Sequence, residues 1–407
     1  MTTMRSRLRL MTAAACVAIL ACAPTAAAEP ASALRSVDPA RLQAVVDAAA
    51  RDMLVPGALV LVRTPAGTVT AGVGTTELDA RTPPQADTHF RIASNTKTMT
   101  AALIVLMAQD GVLALDDPIT KYVPGVPNGE NITLAQLLTM RSGLYGYTDA
   151  PELAAALDAD PAKSWTPEEV LAFAYQRPPR FTPGAEYDYS NTNYALLGLV
   201  AEQVGGRPLN VQFRERLFAP LSLDNTTLPD AGDTGLPVPY SHGYMYGGTS
   251  HALTDSDYPE DIQAAAHAGT LRPVDYTHQN SSYATAAGGA ISTAADLAVW
   301  IRGLVSGNVF GPEYQQLWLD SLIPEEPSDP DGKKYGYGIA HQQFGPHAAM
   351  YYHGGEMPGF NSFMGHDPAN EVTLAIWTNL TLSPDGQTTA NALLPTVLRE
   401  IYNDLDF

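Results

Sequence analysis

Apolar residues recur at helical spacing at Leu42, Val45, Val46, Ala49 and Met53, so the chain from Pro39 to Met53 reads as an amphipathic edge helix capped by Asp38. Two β-branched runs follow, Gly57 to Val62 and Thr68 to Val73. The turn residues Thr64-Pro65-Ala66-Gly67 between them predict an antiparallel hairpin. From Phe90 to Met107 the chain is apolar over a length that suits a buried helix. Between about Leu113 and Pro273 helical segments punctuated by Pro and Gly take over, among them Leu134 to Met140, Pro167 to Tyr175 and Tyr194 to Gly205. From Leu228 to Gln279 periodicity fades into Gly, Pro, Asp, His and Tyr, which predicts irregular cover for a cleft. β character returns in Ala348 to His353, Asn361 to His366 and Glu371 to Thr378, before a last helix from Thr388 to Tyr402.

Strands at both ends of a helical middle predict an α+β fold of the α/β sandwich type. Its antiparallel sheet is built from the N- and C-terminal segments and flanked by helices, and a mainly helical subdomain is inserted over roughly residues 113–280.

The first 28 residues are a different kind of sequence. Arg5, Arg7 and Arg9 precede an apolar run from Leu10 to Ala23, and Ala26-Ala27-Ala28 stands before Glu29. A basic head, a short apolar middle and small residues at a cut site predict a secretory signal peptide over residues 1–28, leaving 29–407 as one secreted or cell-envelope domain. Ile19-Leu20-Ala21-Cys22 offers an alternative, a lipoprotein signal with a lipid anchor on Cys22. Both cysteines, Cys16 and Cys22, lie in this segment, so the domain itself has no disulfide and no Cys ligand. The formal charge is −20, and loss of the signal would remove three arginines and no acid. So acidic a surface argues against nucleic acid and anionic membrane as partners.

Three short motifs carry candidate chemistry. Ser94 and Lys97 stand three apart at the head of the Phe90 to Met107 helix and so share a face. Of the five lysines, only Lys97 has a serine three residues before it. A lysine whose pKa is depressed by burial can take a serine's proton and make it a nucleophile. The bland alternative is an N-cap serine and a solvated first-turn lysine. In Tyr187-Asp188-Tyr189-Ser190-Asn191-Thr192-Asn193-Tyr194, Tyr189 and Asn191 can face one cleft, the phenol exchanging protons and the amide holding a carbonyl, or they can simply pack and cap a loop. The strand ending in His353-Gly354-Gly355-Glu356 brings a titratable ring and bare backbone that a substrate can approach as an added strand. The other eight histidines have no metal-site spacing.

Taken in order, Ser-x-x-Lys, Tyr-x-Asn and His-x-Gly resemble the serine penicillin-recognising enzymes: exported D-alanyl-D-alanine carboxypeptidases, class C β-lactamases, and the esterases and D-amino-acid peptidases of the same β-lactamase/transpeptidase-like fold. The resemblance runs from Phe90 through Leu199 and again from Tyr283 to Thr378, with Leu137-Leu138-Thr139-Met140-Arg141-Ser142-Gly143-Leu144-Tyr145 as a supporting match. It implies Ser94 as acylated nucleophile, Lys97 as its hydrogen-bonded partner and Tyr189 as general base and acid. It also implies Asn191 on the acyl side-chain amide, and His353 tuning Tyr189 where the β-lactamases carry a lysine. An oxyanion hole would come from the backbone N–H groups of Ser94 and Glu356. No metal or organic cofactor is implied.

Two departures bear on the substrate. The carboxypeptidase branch holds a terminal carboxylate with a threonine and an arginine, where this chain has Gly354, followed by the anionic Glu356, and Gln342. The expectation is an exported serine hydrolase, foremost a D-alanyl-D-alanine carboxypeptidase-like penicillin-binding peptidase. Esterase, D-amino-acid amidase or peptidase, and class C-like β-lactamase are its alternatives on the same fold. A cell-wall peptide, a β-lactam or an ester would be the substrate. A weakly catalytic or non-catalytic binding or sensing protein is the alternative of another class.

Overall fold

The computed structural model describes residues 33–254 and 256–406, so the expected signal peptide with Cys16 and Cys22 lies outside the described residues. Helix α1 (Pro39–Asp52) opens on Asp38, whose carboxylate accepts the Ala40 and Arg41 N–H groups, and it buries Leu42, Val46 and Ala50. Strands β1 (Gly57–Thr64) and β2 (Gly67–Gly74) form the expected hairpin. A 3-10 turn at Ala93–Asn95 leads into α2 (Thr96–Gln109), and every α2 residue from Thr96 to Ala108 is buried. A helix without a polar face belongs in the centre, and α2 is the axis of the larger core cluster.

From α2 the chain leaves the sheet for a series of helices, including α3 (Leu134–Leu138), α4 (Pro167–Tyr175), α5 (Asn191–Gly205), α6 (Thr249–Thr254) and α7 (Thr285–Gly288). It rejoins the sheet layer with α8 (Ala294–Val305), which packs on the face that α2 also covers. Then come the short β3 (Ile323–Pro324) and β4 (Lys334–Tyr335), followed by β5 (Ala340–Gly345), β6 (Ala348–Met357), β7 (Phe360–Asp367), β8 (Val372–Thr378) and the closing helix α9 (Thr389–Ile401).

The sheet order is β2-β1-β8-β7-β6-β5-β4-β3, antiparallel throughout, so the two ends of the domain meet where β1 pairs with β8. Side chains alternate across it as the pleat requires. Leu59, Leu61, Phe360, Met364, Ala375 and Trp377 pack toward α2 and α8. Val60, Val62, Phe363, Leu374 and Ile376 pack toward α1 and α9. The fold is the expected α+β sandwich.

Three details differ from the sequence reading. The strand expected to stop at His353 runs on to Met357, because the glycines remove side chains without removing ladder hydrogen bonds. The stretch from Leu228 to Gln279 contains α6, a helix at Glu260–His267 and a ribbon pairing Tyr244–Met245 with Val274–Asp275. Helix α8 and strand β5 were not anticipated; β5 reads Ala-His-Gln-Gln-Phe-Gly, whose polar middle hides the period of a strand.

The start of helix α9 is fastened to the sheet by buried side chains, Asn361 and Thr378 among them. Asn361 on β7 accepts hydrogen bonds through Oδ1 from the N–H groups of Ala390 (2.8 Å) and Asn391 (3.3 Å), while Thr388 supplies no side-chain cap. Asn361→Ala would leave those donors buried and unmatched, at about 1–3 kcal/mol. We expect a lower urea midpoint at an unchanged slope, measured by equilibrium unfolding.

Candidate active site

Ser94 is presented on a turn that the surroundings force. Its predecessor Ala93 is buried with φ +47°, a left-handed conformation costing a non-glycine residue about 1–3 kcal/mol, held only where neighbours over-determine it. Here Phe90 stacks on Trp377 with ring centroids 5.0 Å apart, and Thr96 Oγ1 donates to the Ala93 carbonyl at 2.7 Å. Asn95 Nδ2 donates to the Ile92 carbonyl at 3.1 Å and to Ser362 Oγ on β7 at 2.8 Å. The turn is therefore bolted to the sheet.

Lys97, one turn on, is fully buried, and burial holds its pKa well below the usual 10.5. Its Nζ lies 2.9 Å from Ser94 Oγ, 2.6 Å from Asn191 Oδ1 and 2.8 Å from the Ala287 carbonyl oxygen. The last two atoms can only accept. A neutral amine must give them its two protons, and its lone pair is then left facing the Ser94 hydroxyl. The same geometry satisfies all three protons of an ammonium, so the site can hold either state.

Asn191 begins α5, and its amide is used at both ends, Oδ1 on Lys97 and Nδ2 on Thr148 Oγ1 at 3.0 Å. Its carbonyl oxygen orients Lys97. Tyr189 is 38% exposed toward the cleft, with its ring centroid 4.9 Å from Lys97 Nζ.

His353 faces Tyr189, with ring centroids 6.3 Å apart. Buried, and near Lys97, its pKa is pushed down to about 3 from 6.5. Its Nδ1 is 2.6 Å from the Gly354 carbonyl, which can only accept, so Nδ1 carries the proton and Nε2 accepts from the Tyr335 hydroxyl at 3.0 Å. A neutral ring cannot supply the cationic influence on Tyr189 that a lysine would. It also holds Tyr335 by the Nε2 hydrogen bond, and the Tyr335 ring stands edge-on to Tyr189 at 6.3 Å.

Gly355 is demanded by the fold. A Cβ there would lie 2.2 Å from the Ile92 carbonyl oxygen and 2.5 Å from Ser362 Oγ, so only glycine lets β6 lie against the Ser94 turn. Ser94, Tyr189, Asn191, His353, Gly354, Gly355 and Glu356 thus line one cleft of about 620 Å³, with Lys97 beneath it. Sequence reasoning missed Thr148, Tyr335 and the Ala287 carbonyl. A carbonyl leaves no sequence signal; the run Lys334-Tyr335-Gly336-Tyr337-Gly338 was the available hint for Tyr335.

A family model described as Beta-lactamase matches residues 42–397. Among solved structures, the chain is similar to a D-stereospecific amidohydrolase from Streptomyces sp., with TM-score 0.74 and 30% identity, covering 87% of this chain and 98% of that one. It is also similar to the D-amino acid amidase from Ochrobactrum anthropi SV3 complexed with L-phenylalanine amide, with TM-score 0.73 and 26% identity, covering 89% and 97%. Among curated proteins, it is 32% identical over 179 residues to Protein flp of Staphylococcus aureus (strain MW2). That match covers 42% of this chain and 35% of the relative, so the aligned part spans about a third of Protein flp.

If His353 is neutral as its partners require, its ring nitrogens show one fixed tautomer, protonated on Nδ1, from about pH 5 to pH 9. Nitrogen-15 NMR against a His353→Gln control measures this. A signal that titrates near 6.5 and vanishes in the control contradicts the assignment.

Proposed function

The chain belongs to the Beta-lactamase family, and on that footing we propose that this serine hydrolase cleaves amides of D-amino acids or short peptides that carry a free amino group, through an acyl-enzyme on Ser94. In this reading, neutral Lys97 takes the Ser94 proton as Oγ attacks the carbonyl carbon. The N–H groups of Ser94 and Glu356 receive the oxyanion. Tyr189, open to the cleft above Lys97, gives its phenolic proton to the departing amine and takes the proton held by Lys97 in exchange. Water then enters by the reverse route to release the acid.

The observation that carries the choice of substrate is that an acidic residue, Glu356, lines the cleft next to Gly355, its Oε2 accepting from Asn361 Nδ2 at 3.5 Å. That residue attracts an ammonium and repels a carboxylate. The other polar groups there agree. Gln342 Oε1 accepts from Tyr352 Oη at 3.0 Å, and Lys333 is paired with Glu325 at 3.1 Å, so its charge is balanced before a substrate arrives. The similarity to two enzymes named for D-amino-acid and D-stereospecific amide hydrolysis supports the same choice. The D-alanyl-D-alanine carboxypeptidase expected from the motifs is less well supported, since its substrate ends in a carboxylate. The direct Lys97 to Ser94 hydrogen bond speaks against a purely binding protein. Residues 1–28 support export, with cleavage after Ala28.

Wild-type protein should release ammonia from the amide of D-phenylalanine much faster than from its L form, and should act poorly on D-alanyl-D-alanine. Ser94→Ala should lower turnover by about a thousandfold or more and abolish covalent labelling by a fluorophosphonate. Retained turnover in that variant would sink the mechanism, and preference for the dipeptide would sink the substrate assignment.

The neutral form of Lys97 is the active one, so kcat/KM should be lost as pH falls through its depressed pKa and be complete well below the ordinary 10.5. A pH profile that climbs only near 10.5 contradicts this.

A further inference from the structure

The two acceptors that orient Lys97 belong to helices that also border a second cavity. Asn191 begins α5, and Ala287 lies in α7. Farther along, Leu199 and Glu202 of α5 and Thr285 and Ala286 of α7 line a cavity of about 200 Å³. None of its described lining residues borders the Ser94 cleft. Trp165, Leu209 and Leu228 complete its apolar wall. A cavity of about 150 Å³ admits benzene, so this one has room for a ring and a short chain.

Two carboxylates give the wall a charge. Glu202 Oε1 accepts from the Leu209 N–H at 2.8 Å and Asp230 Oδ1 from Asn210 Nδ2 at 2.7 Å, and neither acid is ion-paired among the described residues. The nearby cations are already engaged. Lys163 pairs with Glu169 at 3.3 Å and lies 3.6 Å over the Trp165 ring. The buried Arg91 donates to Ser281 Oγ and to the Thr234 carbonyl, each at 2.8 Å, and stands near the third acid of the cavity, Asp233. An apolar wall beside unpaired carboxylates selects an organic cation.

Helix α7 separates this cavity from Lys97. On the α2 side, the Ala286 carbonyl accepts from Thr100 Oγ1 at 2.7 Å and the Ala287 carbonyl from Lys97 Nζ at 2.8 Å. On the α5 side, a Cβ added at Gly198 would lie 2.6 Å from Ala286 Cβ, so the two helices touch. Thr285 has φ +43°, strained for a β-branched residue, and its hydroxyl is buried without a hydrogen-bond partner among the described residues. A ligand packed on Thr285 and Ala286 therefore favours the arrangement that keeps the Ala287 oxygen on Lys97.

We propose that this cavity is a second ligand site, for a small organic cation. The ammonium meets Glu202 and Asp230, and an aromatic or branched aliphatic body lies against Trp165, Leu209 and Leu228. Its occupation raises the reactivity of Ser94 by fixing α7. That coupling rests on the reading that neutral Lys97 takes the Ser94 proton; the binding site itself does not.

Phenethylammonium is the probe and 2-phenylethanol its neutral control, both titrated by calorimetry into wild type before and after Ser94 is blocked with a fluorophosphonate. One equivalent of the cation should bind the blocked protein, and the alcohol about tenfold more weakly or worse. Glu202→Gln combined with Asp230→Asn keeps both hydrogen bonds and removes both charges, whereas Leu199→Trp fills the cavity from α5. Each should weaken binding by about tenfold or more, with thermal unfolding showing that the variants fold. Saturating cation should raise the rate of Ser94 labelling about fivefold or more in wild type and leave it unchanged in Leu199→Trp. Binding that disappears when Ser94 is blocked, binding indifferent to both variants, or a wild-type labelling rate that does not rise overturns the proposal. If the fluorophosphonate fails to label wild type, the Ser94 mechanism fails, and calorimetry on the two variants still decides the cavity.

Discussion

The structure depends on keeping one amine dry. Lys97 sits fully buried on the central helix, where its charge is costly, and is made tolerable by two acceptors drawn from positions 94 and 190 residues along the chain. These are Asn191, at the first turn of α5, and the carbonyl of Ala287 in α7. Because both atoms can only accept, they dictate where the third valence of the nitrogen points, and it points at Ser94. The packing of α2 against α5 and α7 is therefore also what aims the Lys97 amine at Ser94.

The sheet contributes the other half of the constraint. Pairing of β1 with β8 closes the domain, and the Phe90 to Trp377 stack anchors the approach to Ser94 on that closure. Asn95 reaches Ser362 on β7, and Gly355 on β6 removes the atoms that would otherwise keep the strand away from the turn. Strain at Ala93 is held by contacts on both sides, as expected where a side chain must project into a cleft in one geometry.

Charge in the cleft is arranged sparingly. His353 and Tyr335 form a neutral, hydrogen-bonded pair where a lysine stands in the β-lactamases, and this spares Lys97 a second cation nearby. Lys333 and Asp149, which also line the cleft, are each matched by a partner, Glu325 at 3.1 Å and Arg180 at 2.6 Å. Glu356 stands on the same wall, within hydrogen-bond reach of Asn361 Nδ2 at 3.5 Å.

Much of this was legible along the chain because it is local. The three-residue spacing of Ser94 and Lys97, the Asp38 cap, the hairpin at Thr64 to Gly67 and the alternation in β7 and β8 follow from backbone geometry that a few neighbours dictate. The α+β order of strands, helices and strands followed from the same periods. Long-range packing alone could commit Asn191 to Lys97, bring the Ala287 carbonyl beneath it, place Tyr335 against His353 and drive that histidine's proton off, since burial is a property of the assembled core. The difference between two adjacent glycines was also invisible in sequence. One is crowded by Ile92 and Ser362 and the other faces open space, a distinction that exists only once distant strands and helices have closed around them.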